Sequence, residues 1–121
     1  MFDWLGNPVG VVGFSDVDFV NKNSSWAFYA SPSAPRGTGS RMEYFAIEYA
    51  FNSLGLNKLY CEVLEFNAAV IRLHQKFGFK VEGVLREQHL YDGSFIDVYR
   101  LGLLFDDWKE LSVAMQEKML T

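Results

Sequence analysis

The sequence is poor in the residues that form disulfides, metal sites and nucleic-acid contacts. Cys61 is the single cysteine among 121 residues, and there are two histidines. We therefore expect no internal disulfide and no zinc cluster. The formal net charge is −4 and no block of the sequence is basic, which argues against a nucleic-acid partner.

Long apolar runs are also missing. No segment approaches the roughly 20 apolar residues that cross a bilayer, and residues 1–4 lack the basic and apolar regions of a signal peptide. These absences predict a soluble, cytoplasmic protein with no membrane partner. Because half of the residues are hydrophobic, the chain can bury a core. We predict a single domain over 1–121, with a core at 1–105 and a helical tail at 106–121.

Hydrophobic periodicity divides this domain into strands and helices. The predicted strands are 8–19, 25–30, 58–66, 79–91 and 94–104, and the predicted helices are 39–54, 67–76 and 106–119. Asn67 is a candidate helix cap, and Asp92-Gly93 is the turn of a closing hairpin. Up to residue 104 the order strand-strand-helix-strand-helix-strand-strand predicts an α/β (α+β) fold with a mixed sheet. The repeat in the first helix predicts a buried stripe of Met42, Phe45, Ala46, Tyr49, Ala50 and Ser53.

The loop before the first helix has the composition of an anion site. It reads Arg36-Gly37-Thr38-Gly39-Ser40-Arg41. Glycines let backbone amides approach a ligand closely, and a helix N-terminus adds partial positive charge that suits a phosphate. The alternative is an ordinary glycine-rich turn, because the loop lacks both the third glycine of a Rossmann fingerprint and the ending of a Walker loop.

In its context this loop resembles the acetyl-CoA loop of the GNAT superfamily of N-acetyltransferases. The family pattern is Gln/Arg-x-x-Gly-x-Gly/Ala, and Gly37 and Gly39 occupy its glycine positions. Ala34 stands where the pattern has Gln or Arg. This is a departure, for which Arg36 can supply the missing charge.

A second segment, 67–79, resembles the family signature Asn-x-x-Ala-x-x-Leu-Tyr-x-Lys-x-Gly-Phe. The matching residues are Asn67, Leu73, Lys76, Gly78 and Phe79. The resemblance extends over 8–104. It implies a GNAT-like fold that lacks the usual first strand and first two helices, as in a shortened form of a longer parent.

The resemblance also implies acetyl-CoA as cosubstrate, with no metal. The residues expected to bind acetyl-CoA are Phe28, Tyr29, Ala30, Arg36, Gly37, Thr38, Gly39, Ser40, Arg41, Asn67 and Lys76. Asn67 can both cap its helix and bind the pantetheine arm. Cys61 is expected to serve packing only, since the family transfers the acetyl group directly.

Two residues are expected to carry the chemistry. His74 stands at the signature position of the family tyrosine, which protonates the leaving thiolate, and imidazole can perform the same task. Glu62, twelve residues earlier, matches the position at which many relatives place the base. The alternatives are a helix histidine and a solvated strand charge, and Glu65 competes for the role of base.

Segments 7–14, 48–51, 56–59 and 73–79 resemble the N-acetyltransferases of pseudaminic acid biosynthesis. This resemblance implies that the acceptor is the 4-amino group of a UDP-linked amino sugar. The hairpin at 91–98 also resembles ribosomal-protein N-terminal acetyltransferases, so a peptide amine is the alternative acceptor. A third alternative is an acetyl-CoA-binding remnant without transfer activity that could form a homodimer through exposed aromatic side chains.

Overall fold

A six-stranded mixed sheet carries the fold. The computed structural model describes residues 2–4 and 7–120, with side chains described for 10–118. The strands are β1 (Phe2–Trp4), β2 (Asn7–Asp18), β3 (Asn23–Ala30), β4 (Lys58–Leu64), β5 (Lys80–Tyr91) and β6 (Ser94–Leu104). The helices are α1 (Thr38–Glu48), α2 (Ala68–Lys76) and α3 (Phe105–Leu120), and a π-helical turn, Tyr49–Ser53, continues α1. The predicted fold class and element order are confirmed, and β1 was not predicted.

The strands lie in the order β1-β2-β3-β4-β6-β5. Neighbouring strands are antiparallel except β3 and β4, which are parallel. The β4–β6 ladder runs the full length of β4, from Lys58↔Leu104 to Leu64↔Val98. The β3–β4 ladder holds only the three pairs from Asn23↔Lys58 to Ser25↔Tyr60. At the centre of the sheet, β3 and β4 are therefore paired at one end and separate from each other at the other end.

One face of the sheet packs against the helices. Side chains alternate along a strand, and in β4 this places Leu59, Cys61 and Val63 in the core. The same core includes Ile47 of α1 and residues of the C-terminal helix. Trp108 and Met115 of α3 are 1% and 3% exposed, so the predicted tail helix packs on the domain.

The predicted buried stripe of α1 is wrong in part. Met42, Ala46 and Ala50 are buried as expected, but Phe45 and Tyr49 are about half exposed and Ser53 is exposed. The observed stripe also includes Glu43, Ile47 and Phe51. The π-helical turn is wider than a turn of α-helix and shifts the face that follows it. Phe45 and Tyr49 were predicted to be buried because they are aromatic, but aromatic character alone does not determine which face of a helix is buried.

Local turn chemistry agrees with the sequence. Asp92 and Gly93 both have positive φ, 48° and 80°, as a two-residue hairpin turn of type I′ requires. Gly55 also has a positive φ, 66°, just after the π-helical turn ends. These residues adopt the left-handed conformation at low cost, because glycine has no Cβ and Asp tolerates it better than most residues.

Candidate functional site

The open end of the β3–β4 junction forms a cavity of about 310 Å³. Its walls are residues 26–30 of β3 and 61–64 of β4, and α2 with its N-cap closes one side. Of the residues predicted from sequence, the cavity brings together Phe28, Tyr29, Ala30, Glu62, Asn67 and His74. The other predicted residues do not line it.

Backbone groups along this cavity are available to a ligand. β3 pairs with β2 as far as Gly10↔Ala30, whereas its pairing with β4 ends at Ser25↔Tyr60. The edge of β3 that faces β4 therefore has no strand partner over 26–30. Unpaired peptide groups of this kind can bind an extended ligand that carries amide groups.

His74 and Glu43 form a buried hydrogen-bonded pair beside the cavity. Nδ1 of His74 lies 2.9 Å from both carboxylate oxygens of Glu43. Glu43 is 0% and His74 is 3% exposed. Burial raises the pKa of the Glu43 carboxyl, and the hydrogen bond and charge of His74 oppose this rise. Since Nδ1 is engaged, Nε2 is the ring nitrogen of His74 that can exchange a proton with a group in the cavity.

Aromatic rings surround the imidazole of His74. Trp26 and Phe28 of β3 contact it edge-on, with centroids at 5.4 and 6.2 Å, and Phe79 lies at 5.5 Å. Gly78 ends the helix with φ of 97°, and the amide of Phe79 donates to the carbonyl of His74. A Cβ on Gly78 would lie 2.8 Å from Cδ1 of Leu111 and would have to displace that side chain, and the positive φ favours glycine in any case.

Glu62 occupies a different environment at the same cavity. Its side chain is 47% exposed and lies 3.7 Å from Nη1 of Arg100 on the neighbouring strand. Strand alternation places it on the face opposite Cys61 and Val63. The guanidinium of Arg100 also lies over the ring of Tyr60, 4.3 Å from its centroid. Glu62 is thus a solvated carboxylate at the rim, within reach of water.

Cys61 lines the cavity but is not suited to nucleophilic chemistry. Burial, together with the nearby charge of Glu43, raises the pKa of its thiol to about 12. The thiolate is the reactive form of cysteine, and at neutral pH this side chain remains a thiol. Its role is packing, as the sequence analysis predicts.

The predicted anion loop lies at the start of α1. Gly37 is the N-cap residue with φ of 89° and provides no side-chain cap. The amide of Thr38 donates to the carbonyl of Pro35, and the amides of Gly39 and Ser40 are the early helix donors available to an anion. Arg36, Thr38 and Arg41 line a separate depression of about 50 Å³. A Cβ on Gly39 would lie 3.8 Å from both Phe28 and Leu73. The helix start therefore abuts the β3 wall of the cavity.

Two of the predicted acetyl-CoA-binding residues, Asn67 and Lys76, differ from their expected arrangement. Asn67 is the N-cap residue of α2, yet its side chain makes no capping hydrogen bond. The predicted cap is wrong in this respect, and the amide is free for other partners. Lys76 lies exposed in the last turn of α2, away from the cavity. Ser40 is partly buried in the first turn of α1.

Glu43 was missed by the sequence analysis. It stands between Met42 and Tyr44 on the predicted helix, and its partner lies 31 residues away. A carboxylate within an apolar helix face is the only sequence signal, and it does not identify the partner. Among residues 2–4 and 7–120, no group of three or more metal-ligating side chains could hold a metal ion. No helix in those ranges is both long and apolar enough to span a membrane.

Comparison with known proteins connects this geometry to one family. A family profile described as "Acetyltransferase (GNAT) domain" matches residues 3–80. The spermidine N(1)-acetyltransferase of Escherichia coli (strain K12) is 29% identical over 97 residues, which are 79% of this chain and 52% of that protein. The uncharacterized N-acetyltransferase p20 of Bacillus licheniformis is 31% identical over 97 residues, covering 79% and 54%.

Solved structures give the same result. The spermidine/spermine N-acetyltransferase SpeG from Vibrio cholerae, in complex with manganese ions, superposes with a TM-score of 0.84 at 25% identity. The match covers 89% of this chain and 64% of that one. A dodecameric structure of the Vibrio cholerae enzyme gives a TM-score of 0.76 at 26% identity, covering 82% and 58%. The chain spans about half the length of the curated relatives it matches.

Proposed function

The chain belongs to the GNAT acetyltransferases, and we propose that it transfers an acetyl group from acetyl-CoA to a primary amine. The observation that carries this proposal is the open β3–β4 junction. The start of α1 adjoins its β3 wall, and the His74–Glu43 pair lies beside it. The junction offers room for an extended thioester substrate, and the pair offers a proton-carrying group.

Acetyl-CoA would lie along β3. The pyrophosphate would meet the first amides of α1 and the charges of Arg36 and Arg41, as an anion does at a helix N-terminus. The pantetheine arm would hydrogen-bond the unpaired edge of β3 over 26–30 and the free amide of Asn67. Gly39 and Ser40 would contribute backbone amides, whereas the amide of Thr38 donates to the carbonyl of Pro35, and Gly37 allows the close approach. Lys76 would act only through its charge, since it lies away from the cavity.

The reaction needs one base and one acid. Glu62, directly or through water, would remove a proton from the ammonium form of the acceptor, and its solvated position lets it pass that proton to water. The amine nitrogen would then attack the thioester carbon, and the carbon–sulfur bond would break with its electron pair on sulfur. His74 would protonate the thiolate. Glu65 is the alternative base, because it is also exposed and follows the end of β4.

The relatives favour a polyamine such as spermidine as the acceptor. Exposed carboxylates at Glu62 and Glu65 and the net charge of −4 suit a polycation. The earlier expectation of a UDP-linked amino sugar gains no support from the named relatives, and neither does a peptide amine. A homodimer and a cytoplasmic location stay predictions, although a relative is described as dodecameric.

The test is release of free thiol from acetyl-CoA with three acceptors: spermidine, a UDP-linked 4-amino sugar and a peptide with a free N-terminus. We expect amine-dependent release that is fastest with spermidine. Release with the sugar or the peptide instead would identify the other acceptor class. Binding of acetyl-CoA without release from any amine would contradict the transfer activity and favour a binding remnant.

Two matched variants assign the base. Glu62→Gln and Glu65→Gln make the same chemical change at neighbouring exposed positions. A general base contributes about 10²- to 10⁴-fold to rate. We expect a kcat loss of that order for Glu62→Gln and little change for Glu65→Gln. The reverse pattern would transfer the role to Glu65.

A further inference from the structure

The contact between Glu43 and His74 specifies which ring nitrogen can react. Both carboxylate oxygens of Glu43 lie 2.9 Å from Nδ1, and a carboxylate is an acceptor only. A neutral imidazole carries one proton, on the nitrogen that the partner of the ring selects. With the carboxylate ionised, Nδ1 carries the hydrogen and Nε2 carries the lone pair, in a side chain that lines the cavity.

We propose that Glu43 is a positioning residue that makes His74 a two-way proton carrier, accepting a proton at Nε2 from the attacking amine and returning it to the leaving thiolate. This inference rests on the proposed acetyl transfer. It adds a role for a residue outside both family signatures, and it extends the role of His74 from acid alone to base followed by acid.

Each proton that the reaction moves has a donor and an acceptor within the site. After Glu62 has taken the ammonium proton, the attacking amine still carries one hydrogen more than the amide product. That proton passes to Nε2 of His74, and the ring becomes an imidazolium whose charge the Glu43 carboxylate offsets. When the carbon–sulfur bond breaks, the sulfur takes the bonding pair and receives the proton from Nε2. His74 ends neutral, as it began.

Packing alone is a weak reason for a carboxylate and an imidazole at this buried place. A buried ion pair contributes little net stability relative to well-packed apolar side chains of similar volume. The neighbours of the imidazole are apolar rings at 5.4 to 6.2 Å, and such neighbours would accept an apolar side chain. The pair also borders the cavity rather than the centre of the core, since His74 lines it.

The first test observes the tautomer directly. The chain has two histidines, and the second, His89, is exposed on β5. Nitrogen-15 NMR of the unliganded chain, under conditions where His89 is neutral, gives both rings in one spectrum, and His89→Gln assigns the signals. We expect His74 with hydrogen on Nδ1 and a bare Nε2. Hydrogen on Nε2 would overturn the proposal.

The second test measures kinetics with a matched control. In Glu43→Gln the carboxamide keeps the shape but can donate to Nδ1, which shifts the ring hydrogen to Nε2. The same change at an acid that orients a catalytic histidine costs about 10⁴-fold in kcat in serine hydrolases. We expect a loss of about 10²- to 10⁴-fold in kcat, with the KM for acetyl-CoA changed less than about threefold.

Glu48→Gln is the control. Glu48 lies on the same helix, away from the cavity, and accepts hydrogen bonds from Nε1 of Trp108 at 2.9 Å and from Nδ2 of Asn52. We expect its activity to stay at the wild-type level. His74→Gln combined with Glu43→Gln should lose no more activity than His74→Gln alone, because Glu43 acts through His74. Additive losses would overturn the proposal.

The two proposals fail in different ways. If no amine supports thiol release, the proposed function fails, and the NMR result still decides whether Glu43 fixes the tautomer. If wild type is active and Glu43→Gln, folded by its melting curve, keeps full kcat, acetyl transfer stands and the role of Glu43 is refuted. A Glu43→Gln protein that does not fold leaves the tautomer measurement on wild type as the deciding result.

Discussion

Two carboxylates near the same cavity occupy opposite environments, one buried and one exposed. Glu43 is fully buried and held by two 2.9 Å contacts to one nitrogen. Glu62 is 47% exposed and meets its cation, Arg100, at 3.7 Å. The buried carboxylate is fixed in geometry and sealed from water. The exposed one is solvated, as a group that delivers protons to water must be.

The difference has an energetic consequence. A broken buried pair leaves an uncompensated charge in a poorly solvated place, whereas an exposed pair contributes on the order of 0 to 1 kcal/mol because water screens it. Removing either carboxylate is expected to reduce activity, but only changes at the buried pair should affect folding. Stability measurements therefore separate the two regions.

The largest expected effect on stability is that of His74→Leu, which leaves Glu43 buried without its partner. We expect a loss of about 3 kcal/mol in the free energy of unfolding at neutral pH. Adding Glu43→Leu should recover much of that loss, because the double variant has no buried charge. Urea denaturation of the singles and the double measures both numbers. Simple addition of the two losses would show that the pair is not coupled.

The next effect is on the pH dependence of stability. Burial raises the pKa of Glu43 in the folded chain, so between its ordinary value near 4.5 and the raised value the folded state binds more protons than the unfolded state. The Glu43 contribution to stability is therefore present below that ordinary value and is lost as pH rises through the folded pKa. Glu43→Gln should flatten the slope of stability against pH in this window. An unchanged slope, matching Glu48→Gln, would contradict the raised pKa.

The smallest effect on stability is expected for Glu62→Gln. Its exposed pair with Arg100 should contribute less than about 0.5 kcal/mol, although the same change lowers kcat if Glu62 is the base. Thermal unfolding beside the thiol-release assay makes the comparison in one preparation. A stability loss as large as that of His74→Leu would mean that the exposed pair is structural.

Sequence patterns predicted the local elements well because their causes are local. The Asp92-Gly93 turn and the helix that ends just before Gly78 depend on residues next to one another, and both were predicted near their observed bounds. The buried face of α1 was misplaced for two reasons: the aromatic residues Phe45 and Tyr49 were predicted to be buried, and a π-helical turn depends on packing rather than on spacing. The three-residue strand β1 is too short to give a pattern.

The candidate site was only half accessible from sequence. Glu62 and His74 were found through the family resemblance, and the structure brings both to one cavity. The partner of His74 could not be found, because Glu43 lies on another helix and the pair forms only when α1 and α2 pack together. The open β3–β4 junction likewise exists because the ladder between the two strands ends early. No residue type in the sequence predicts where that ladder ends.

The most direct test of the central claim is a calorimetric titration of acetyl-CoA into wild type, Gly37→Glu and Gly37→Gln. Both variants carry the same bulk and the same strain at φ of 89°, and only one adds negative charge where the pyrophosphate is expected. The account predicts binding to wild type, weaker binding to Gly37→Gln and none to Gly37→Glu. Equal binding to all three, or no binding to wild type, would contradict an acetyl-CoA site at the start of α1.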